Sequence, residues 1–408
     1  MSGRIFLSGA HLVLPDRIEA GRTLVIEAGR ITEIVAGPRE VGAGETRVHL
    51  PDCFILPGFV DVHVHGTGGH DVMDAPSGVS EVAARLPRYG VTAFCPTSIA
   101  CDPRALGRFL SAVGDARRTV NPASARVLGA HLESNFISPS FAGAQPLDCL
   151  RVPAAALAGE SANGDFSGAE ILGLIDRYCA DIAILTLAPE LDGGLALIQH
   201  AVREGIRVSL GHSGATFEQG QAAIQAGARH ATHLFNRMPP MTHREPGLAG
   251  AILASEDVAA ELICDGHHVH PAIVRTAIAA KGLSRILAIT DGTAGSGLPE
   301  GTRATLGGRP ITVREVARLD DGTVAGSVAT MDRVFACLVT QCGLDVREAA
   351  HICATTPARE LGLVGFGVLA PGSIADLTVI SANYAPVQTW IGGELAWSSG
   401  TSTPLAPS

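Results

Sequence analysis

Phe54-Ile55-Leu56-Pro57-Gly58-Phe59-Val60-Asp61-Val62-His63-Val64-His65 is the stretch on which the reading of the fold turns. A run this apolar and this short reads as a strand covered on both faces, as in a parallel sheet. Residues i and i+2 of a strand project to the same side. His63 and His65 therefore leave the strand end together, spaced to hold one metal ion. Four more candidate ligands or catalytic groups each end an apolar strand of their own: Glu133, His212, His233 and Asp291.

Outward from that stretch the chain alternates. Strands are expected at 55–62, 91–97, 126–132, 181–187, 206–211, 228–233, 258–264 and 285–290, with helical stretches between most of them, such as 76–89 and 193–204. Eight such units over about 300 residues fit an α/β fold, a TIM-type (β/α)8 barrel, whose active sites lie at the C-terminal ends of the strands. The histidines and acidic residues fall at those ends. Both termini instead read as short strands and turns, Ile5-Phe6-Leu7 and Thr23-Leu24-Val25-Ile26 at one end, Leu377-Thr378-Val379-Ile380 and Val387 to Ile391 at the other. The expected organisation is a small β-sandwich domain built from both termini, 1–55 plus 365–408, and a barrel over 56–364.

Composition narrows the function. The chain has 408 residues, 46% hydrophobic and 17% charged, enough for a large core. A formal net charge of −10 with no basic run argues against nucleic acid as a partner, though not against a small anion met by a few local Arg and His. No apolar run approaches about 18 residues, so no membrane span is expected. The N-terminus lacks the apolar stretch of a secretory leader. Nine cysteines without a Cys-x-x-Cys pair suit reduced thiols and a cytoplasmic location.

The candidate ligands His63, His65, Glu133, His212 and His233 offer imidazole and carboxylate but no thiolate, which suits Zn2+ or Fe2+, one or two ions per subunit. Many barrel hydrolases bridge two ions with a carboxylated lysine. The only lysine here, Lys281, precedes Gly282 at a helix end. Any bridge must then be a carboxylate. Asp291, at the end of the eighth strand, is placed to take a proton from water and return it to a leaving group. His131 shares a strand face with Glu133 and is a candidate partner of the ligands. His230 has the opposite parity to His233 and reads as a packing or surface residue.

These residues and their surroundings resemble the N-acetylglucosamine-6-phosphate deacetylases of the amidohydrolase superfamily. The similarity runs over essentially the whole chain. It is carried by Leu56-Pro57-Gly58-Phe59-Val60-Asp61 before the His-x-His, His131-Leu132-Glu133, Gly211-His212-Ser213, Thr232-His233-Leu234-Phe235-Asn236-Arg237-Met238, Arg244-Glu245-Pro246-Gly247, Asp265-Gly266-His267-His268-Val269, Thr290-Asp291-Gly292 and Pro371-Gly372-Ser373-Ile374-Ala375-Asp376-Leu377. The resemblance implies a main metal site of Glu133, His212 and His233, a second at His63 and His65 with Glu133 bridging, and Asp291 as catalytic acid and base. It implies phosphate and sugar contacts from Asn236, Arg237 (through its backbone), Arg244 and His268, with Ala144, Gln145, Asp265, His267, Val324, Ala325 and Gly326 on loops lining the sugar. It also implies a homodimer, with part of the phosphate site drawn from the neighbouring subunit.

The expected reaction is hydrolysis of the N-acetyl amide of a phosphorylated N-acetyl amino sugar, N-acetylglucosamine 6-phosphate, in amino-sugar catabolism. The alternatives are the N-acetylgalactosamine epimer or another N-acyl amine, then a different amidohydrolase reaction such as deamination, then a non-catalytic scaffold. Ser134-Asn135-Phe136 stands where many members have Gly-Pro-Phe, Gln145 where some have His, and Gly292-Thr293 follows Asp291 in place of a small apolar residue. These departures leave the sugar epimer open.

Overall fold

The computed structural model describes residues 3–400 except 40, 41, 43, 75, 120, 162 and 163, so the end of the expected terminal range, 401–408, lies outside the described residues. The middle of the chain is a barrel of eight parallel strands: β1 (Phe59–Val64), β2 (Val91–Ser98), β3 (Ala130–Glu133), β4 (Ile182–Leu187), β5 (Arg207–Leu210), β6 (His230–Ala231), β7 (Ala259–Ile263) and β8 (Ile286–Ile289). Each pairs with the next in sequence, from β1 with β2 through β7 with β8. Every residue of β1, β2, β7 and β8 is buried, as expected for strands with helices outside and packed side chains inside. Val60, Ala93, Ile184, Ala259 and Leu287 meet across the interior.

The helices carry their own start signals. Asp102 caps Pro103–Arg118 by accepting from the Arg104 and Ala105 amides, and Ser167 and Thr216 form capping boxes with Glu170 and Gln219. Lys281 ends the helix Pro271–Lys281, where its Nζ donates to the carbonyls of Ile252 and Ser255.

The circle closes at the C-terminal ends of β8 and β1. The Asp291 amide donates to the His63 carbonyl (3.1 Å), the His65 amide to the Gly292 carbonyl (2.8 Å), and Thr290 Oγ1 to Asp61 Oδ2 (2.6 Å). Closure and the placement of Asp291 beside the His-x-His are one set of contacts.

Strands from both termini share a sheet. Cys53–Pro57 lies between Leu377–Ser381 and His11–Val13 in a six-stranded sheet, and a four-stranded sheet from residues 5–49 packs on it through Leu7, Leu24, Ile26, Ile55, Leu377 and Val379. The apolar run 55–62, expected as one strand, is therefore two strands in two sheets. The break is Gly58, whose amide donates to the Asp376 carbonyl (2.9 Å) and where a Cβ would lie 2.2 Å from Thr92 Oγ1. The stretch 126–132 also divides, into Arg126–Val127 and β3, at Gly129 with φ +133°. The expected strand 228–233 shrinks to the two residues of β6.

After β8 a three-stranded antiparallel insertion, Arg303–Leu306, Arg309–Val313 and Ala317–Leu319, folds over the strand ends. The Gly307 amide donates to Asp71 Oδ2 (2.6 Å), and the Arg309 guanidinium to the Ala144 carbonyl.

Candidate active site

Imidazole nitrogens and carboxylate oxygens converge at the C-terminal mouth of the barrel. His63 and His65 bring their Nε2 atoms to 3.2 Å from each other. His212 and His233, from the turns after β5 and β6, bring theirs to 3.1 Å. Glu133, the last residue of β3, lies between the pairs. Its Oε1 is 3.0 Å from both His212 Nε2 and His233 Nε2 and 3.6 Å from His63 Nε2, while Oε2 is 3.6 Å from His65 Nε2. Two groups thus share Glu133, one with His63 and His65 and one with His212 and His233, each compact enough to hold an ion.

The outward-facing nitrogens settle which ones are free to ligate. His65 Nδ1 faces the Thr97 carbonyl (3.0 Å), His212 Nδ1 the Phe141 carbonyl (2.9 Å), and His63 Nδ1 a carboxylate oxygen of Glu261 (2.9 Å). An oxygen acceptor requires N–H opposite it, which leaves Nε2, facing inward, as the nitrogen of each ring that can ligate. Donors on a tetrahedral ion with bonds of about 2.0–2.1 Å would stand about 3.3–3.4 Å apart. The observed spacings of 3.0–3.2 Å are close to that, and the donor set fits a divalent cation.

Electrostatics point the same way. Burial opposes a charge on His63, but Asp291, Glu261 and Glu133 outweigh it and push the imidazole up to about 10. Burial likewise opposes ionisation of Asp291, but His63, His65 and His233 hold its carboxyl below the usual range. Asp291 Oδ1 lies 3.3 Å from His63 Nε2 and 3.2 Å from His65 Nε2. Three carboxylates around a few buried imidazoles make a place where positive charge is favoured.

The backbone at this mouth is strained. His212 (φ 47°), His233 (φ 28°), Phe235 (φ 76°), Arg237 (φ 54°) and Asp291 (φ 49°) all lie in the left-handed region without being glycine. Each such residue costs on the order of 1 kcal/mol, and strain of this kind concentrates where side-chain placement matters more than stability.

Above the ligands a pocket is lined by His65, Glu133, Ala144, Gln145, His212, His233, Asn236, Arg237, His268, Asp291, Val324, Ala325 and Gly326, together with Leu306 from the insertion. Of the sequence-derived candidates, His63 lies behind this surface, fully buried, while Asp265, His267 and Arg244 do not line it. Asp265 works from behind: its Oδ2 is 2.7 Å from His268 Nδ1, and its Oδ1 accepts the amides of His267 and His268. His268 Nε2 is buried at the pocket with no partner. His267 and Arg244 are exposed. Gln145 donates to Glu133 Oε2 (2.6 Å) and accepts from the Ala100 amide (2.7 Å), which fixes the direction of its amide. A roomier cleft of about 460 Å3, with Ser80, Ala112, Asp115, Asn121 and Leu128 in its wall, has no histidine or glutamate among its described lining residues.

Three residues of this region escaped the sequence reading. Glu261, in the middle of β7, is fully buried and bound to His63, to His230 Nε2 (2.9 Å) and to the His233 amide (3.2 Å). Burial would raise its pKa, but His63, His131 and His230 outweigh that and hold it well below the carboxylate range. The available signal was a glutamate inside the otherwise apolar Val258-Ala259-Ala260-Glu261-Leu262-Ile263. His230, read as a packing or surface residue, is a buried polar partner of that carboxylate. Leu306 sits in a hairpin whose position over the barrel no local pattern announces. His131, buried and lowered to about 3 by desolvation, binds Thr186 Oγ1 (2.8 Å) and the Val62 carbonyl (3.0 Å) beneath the ligands.

Comparison with known proteins places these features in context. Residues 54–396 match the amidohydrolase family. The N-acetylgalactosamine-6-phosphate deacetylase of Escherichia coli O157:H7 is 35% identical over 345 residues, 84% of this chain and 87% of that protein. The N-acetylglucosamine-6-phosphate deacetylase of Bacillus subtilis (strain 168) is 34% identical over 98% of both chains. Among solved structures, a mutant N-acetyl-D-glucosamine-6-phosphate deacetylase from Mycobacterium smegmatis, in complex with N-acetyl-D-glucosamine-6-phosphate, superposes with a TM-score of 0.85 at 31% identity, covering 97% of this chain and 99% of that one.

Proposed function

The chain belongs to the amidohydrolase family, and from that premise we propose that it hydrolyses the N-acetyl amide of N-acetylglucosamine 6-phosphate to acetate and glucosamine 6-phosphate. The observation that carries this reading is the convergence in one pocket of two ligand groups sharing Glu133, an ionised Asp291, and a wall in which His268 Nε2 has no partner. Deacetylases of such sugar phosphates among its relatives support it.

Glu133, His212 and His233 would hold the main divalent ion, zinc or iron, and His63 and His65 together with Glu133 would hold a second. Such an ion supplies a Lewis acid for the acetyl oxygen and lowers the pKa of water to about 7. Asp291, below the usual carboxylate range, accepts the proton of the attacking water on Oδ1 and delivers it to the departing amine nitrogen. Atoms balance: water adds across the amide, the hydroxyl to the acyl carbon and the proton to nitrogen. Gln145 holds Glu133 Oε2, so that Oε1 is presented to both ligand histidines.

On the wall, Asn236, Arg237, His268, Ala144, Val324, Ala325 and Gly326 contact the sugar and its phosphate, and Leu306 closes the apolar side. Arg237 is tied to the Val324 carbonyl through Nη2 (3.2 Å). Arg244 is exposed and does not line the pocket of its own subunit. An exposed Arg244 would be free to reach the phosphate at the site of a second copy, as the resemblance to the family implies for a homodimer. A cytoplasmic location agrees with nine cysteines that are all free thiols, and no helix among the described residues is long and apolar enough to cross a membrane.

The second reading keeps the chemistry and changes the epimer to N-acetylgalactosamine 6-phosphate, favoured by the relative at 35% identity. Acetate release should be measured on both epimers and on unphosphorylated N-acetylglucosamine, with and without chelator. Fast, chelator-sensitive turnover of the gluco phosphate is expected. Preference for the galacto phosphate would transfer the substrate to the second reading. No release from any of the three, with metal bound, would remove the sugar reading altogether.

A further inference from the structure

We propose that Glu261 is a positioning residue for the metal centre, acting through His63. The proposal rests on the metal-binding role of His63 advanced above. It starts from a difference among the ligand imidazoles. Main-chain carbonyls orient two of them: Thr97 holds His65 Nδ1 and Phe141 holds His212 Nδ1. No side-chain substitution removes those acceptors. His63 alone takes its orientation from a side chain, through Glu261 Oε2 at 2.9 Å.

Glu261 is well placed for that work. It is fully buried in the middle of β7, where a carboxylate persists only if its lone pairs are occupied. Oε1 accepts from His230 Nε2 (2.9 Å), and Oε2 accepts the His233 amide (3.2 Å) as well as His63 Nδ1. His230 and a main-chain amide therefore pin the carboxylate, and the pinned carboxylate pins the imidazole. An ionised carboxylate only accepts, so Nδ1 of His63 keeps its N–H and Nε2 is the nitrogen left to exchange its proton for a cation. That atom stands 3.2 Å from His65 Nε2. The His233 amide belongs to a ligand of the other group, so one carboxylate is bonded to both halves of the centre.

The same contacts explain why a charged residue interrupts an apolar strand. An alanine or leucine here would leave His63 Nδ1, His230 Nε2 and the His233 amide facing hydrocarbon. Outer partners of metal-bound histidines typically contribute 10–100-fold in metal affinity. A glutamine of the same shape has one acceptor and one donor, and cannot accept from all three donors at once.

The test is metal binding, not turnover, so it stands apart from the identity of the substrate. Zn2+ affinity and stoichiometry are measured for the full-length wild type, Glu261→Gln, His63→Asn and the double variant, with thermal unfolding of each in apo and loaded forms. Glu261→Gln should bind the ion at the His63 and His65 group 10–100-fold more weakly. In the His63→Asn background the same change should cost less than about 3-fold, because the route is already cut. Equal affinity for wild type and Glu261→Gln overturns the proposal. So does a loss of the same size in both backgrounds, or an equal drop in melting temperature of apo and loaded protein with affinity unchanged, which marks a purely structural carboxylate. A wild type that binds no divalent ion overturns the metal reading of the whole site, and this proposal with it. If Glu261→Gln does not fold, His230→Gln keeps the carboxylate and removes one of its anchors; a smaller loss of affinity is then expected, and unchanged affinity overturns the proposal.

Discussion

The floor and the wall of the pocket are built in opposite ways. The floor comes from strand ends. His63, His65 and His212 each have a fixed partner on the nitrogen that faces away from the pocket. The wall comes from loops: the turn after β3 with Ala144 and Gln145, the strained segment with Asn236 and Arg237, the Asp265–His268 turn, and the strap from Leu306 to Gly326. There a buried His268 nitrogen has no partner, and Arg237 is tied to the Val324 carbonyl by one hydrogen bond. Among the ligand histidines of the floor only His233, whose Nδ1 is buried without a partner, lacks such an anchor, whereas in the wall the unpartnered nitrogen, His268 Nε2, lies at the pocket itself. Chemistry is thus carried by the rigid part of the barrel and substrate choice by the part that loops can vary.

Substitutions on each side should separate the two. The largest effect is expected on the floor. Asp291→Asn should lower kcat by about 10^2–10^4-fold with metal content and fold retained. A rate near that of the wild type, at normal metal content, would end its proton-transfer role. Next comes the wall: His268→Asn should reduce kcat/KM by about 10–100-fold and leave metal binding alone. Asp265→Asn should follow in the same direction with a smaller loss, since Asp265 acts by holding His268. A greater loss at Asp265 than at His268 would reverse their assigned roles. Smaller still, Arg244→Ala should cost roughly 10-fold on phosphorylated substrate and little on the unphosphorylated sugar. Equal losses on both would show that Arg244 does not read phosphate.

The smallest effect on turnover is expected at Asp71, where the change is in stability. Burial pushes Asp71 up to about 6, against the hydrogen bonds from the Met73 and Gly307 amides. A raised carboxyl means that the folded chain binds the proton more tightly than the unfolded chain. Its contribution is full below about pH 4 and is lost as pH rises through about 6, a change of roughly 1–3 kcal/mol. Asp71→Asn should flatten that part of the stability profile, read by denaturant unfolding between pH 4 and 7. A slope unchanged from wild type would mean that another group titrates there.

Much of the floor was legible in the sequence, because strand ends leave a local signature: a short apolar run followed at once by His, Glu or Asp. His63, His65, Glu133 and Asp291 follow that rule closely and His212 more loosely, while His233 comes after Arg229-His230-Ala231-Thr232 and does not; the structure brings all six together. What the pattern could not carry was membership in a sheet. Residues on either side of Gly58 are equally apolar, yet one side pairs with the C-terminal strand Leu377–Ser381 and the other with β2. The hydrogen bond from Gly58 to Asp376 and the close approach of Thr92, which leaves no room for a Cβ, mark the break, and contacts of that kind have no sequence period. The wall was less legible, since loop positions depend on what they pack against. Ser134 and Asn135, which depart from the family pattern, turn out to bind the Thr186, Cys101 and Cys149 carbonyls and do not line the pocket. Glu261 and His230 were hidden for another reason. Each looks anomalous in its own strand, and each becomes intelligible only beside the other.

The join between β8 and β1 has a consequence for how the chain acquires its centre. Asp61 and Thr290, which meet at that join, are 229 residues apart in sequence. Contacts so distant form late, because the loop between them must first be ordered. A refolding chain therefore gains Asp291 beside His63 and His65 only when its first and last barrel strands meet. Both tryptophans, Trp390 and Trp397, lie instead in the terminal sheet. Tryptophan fluorescence would report the assembly of that sheet, and the onset of turnover, which needs Asp291 beside His63 and His65, would report the closing of the ring, so the two clocks can be read separately in the same refolding experiment.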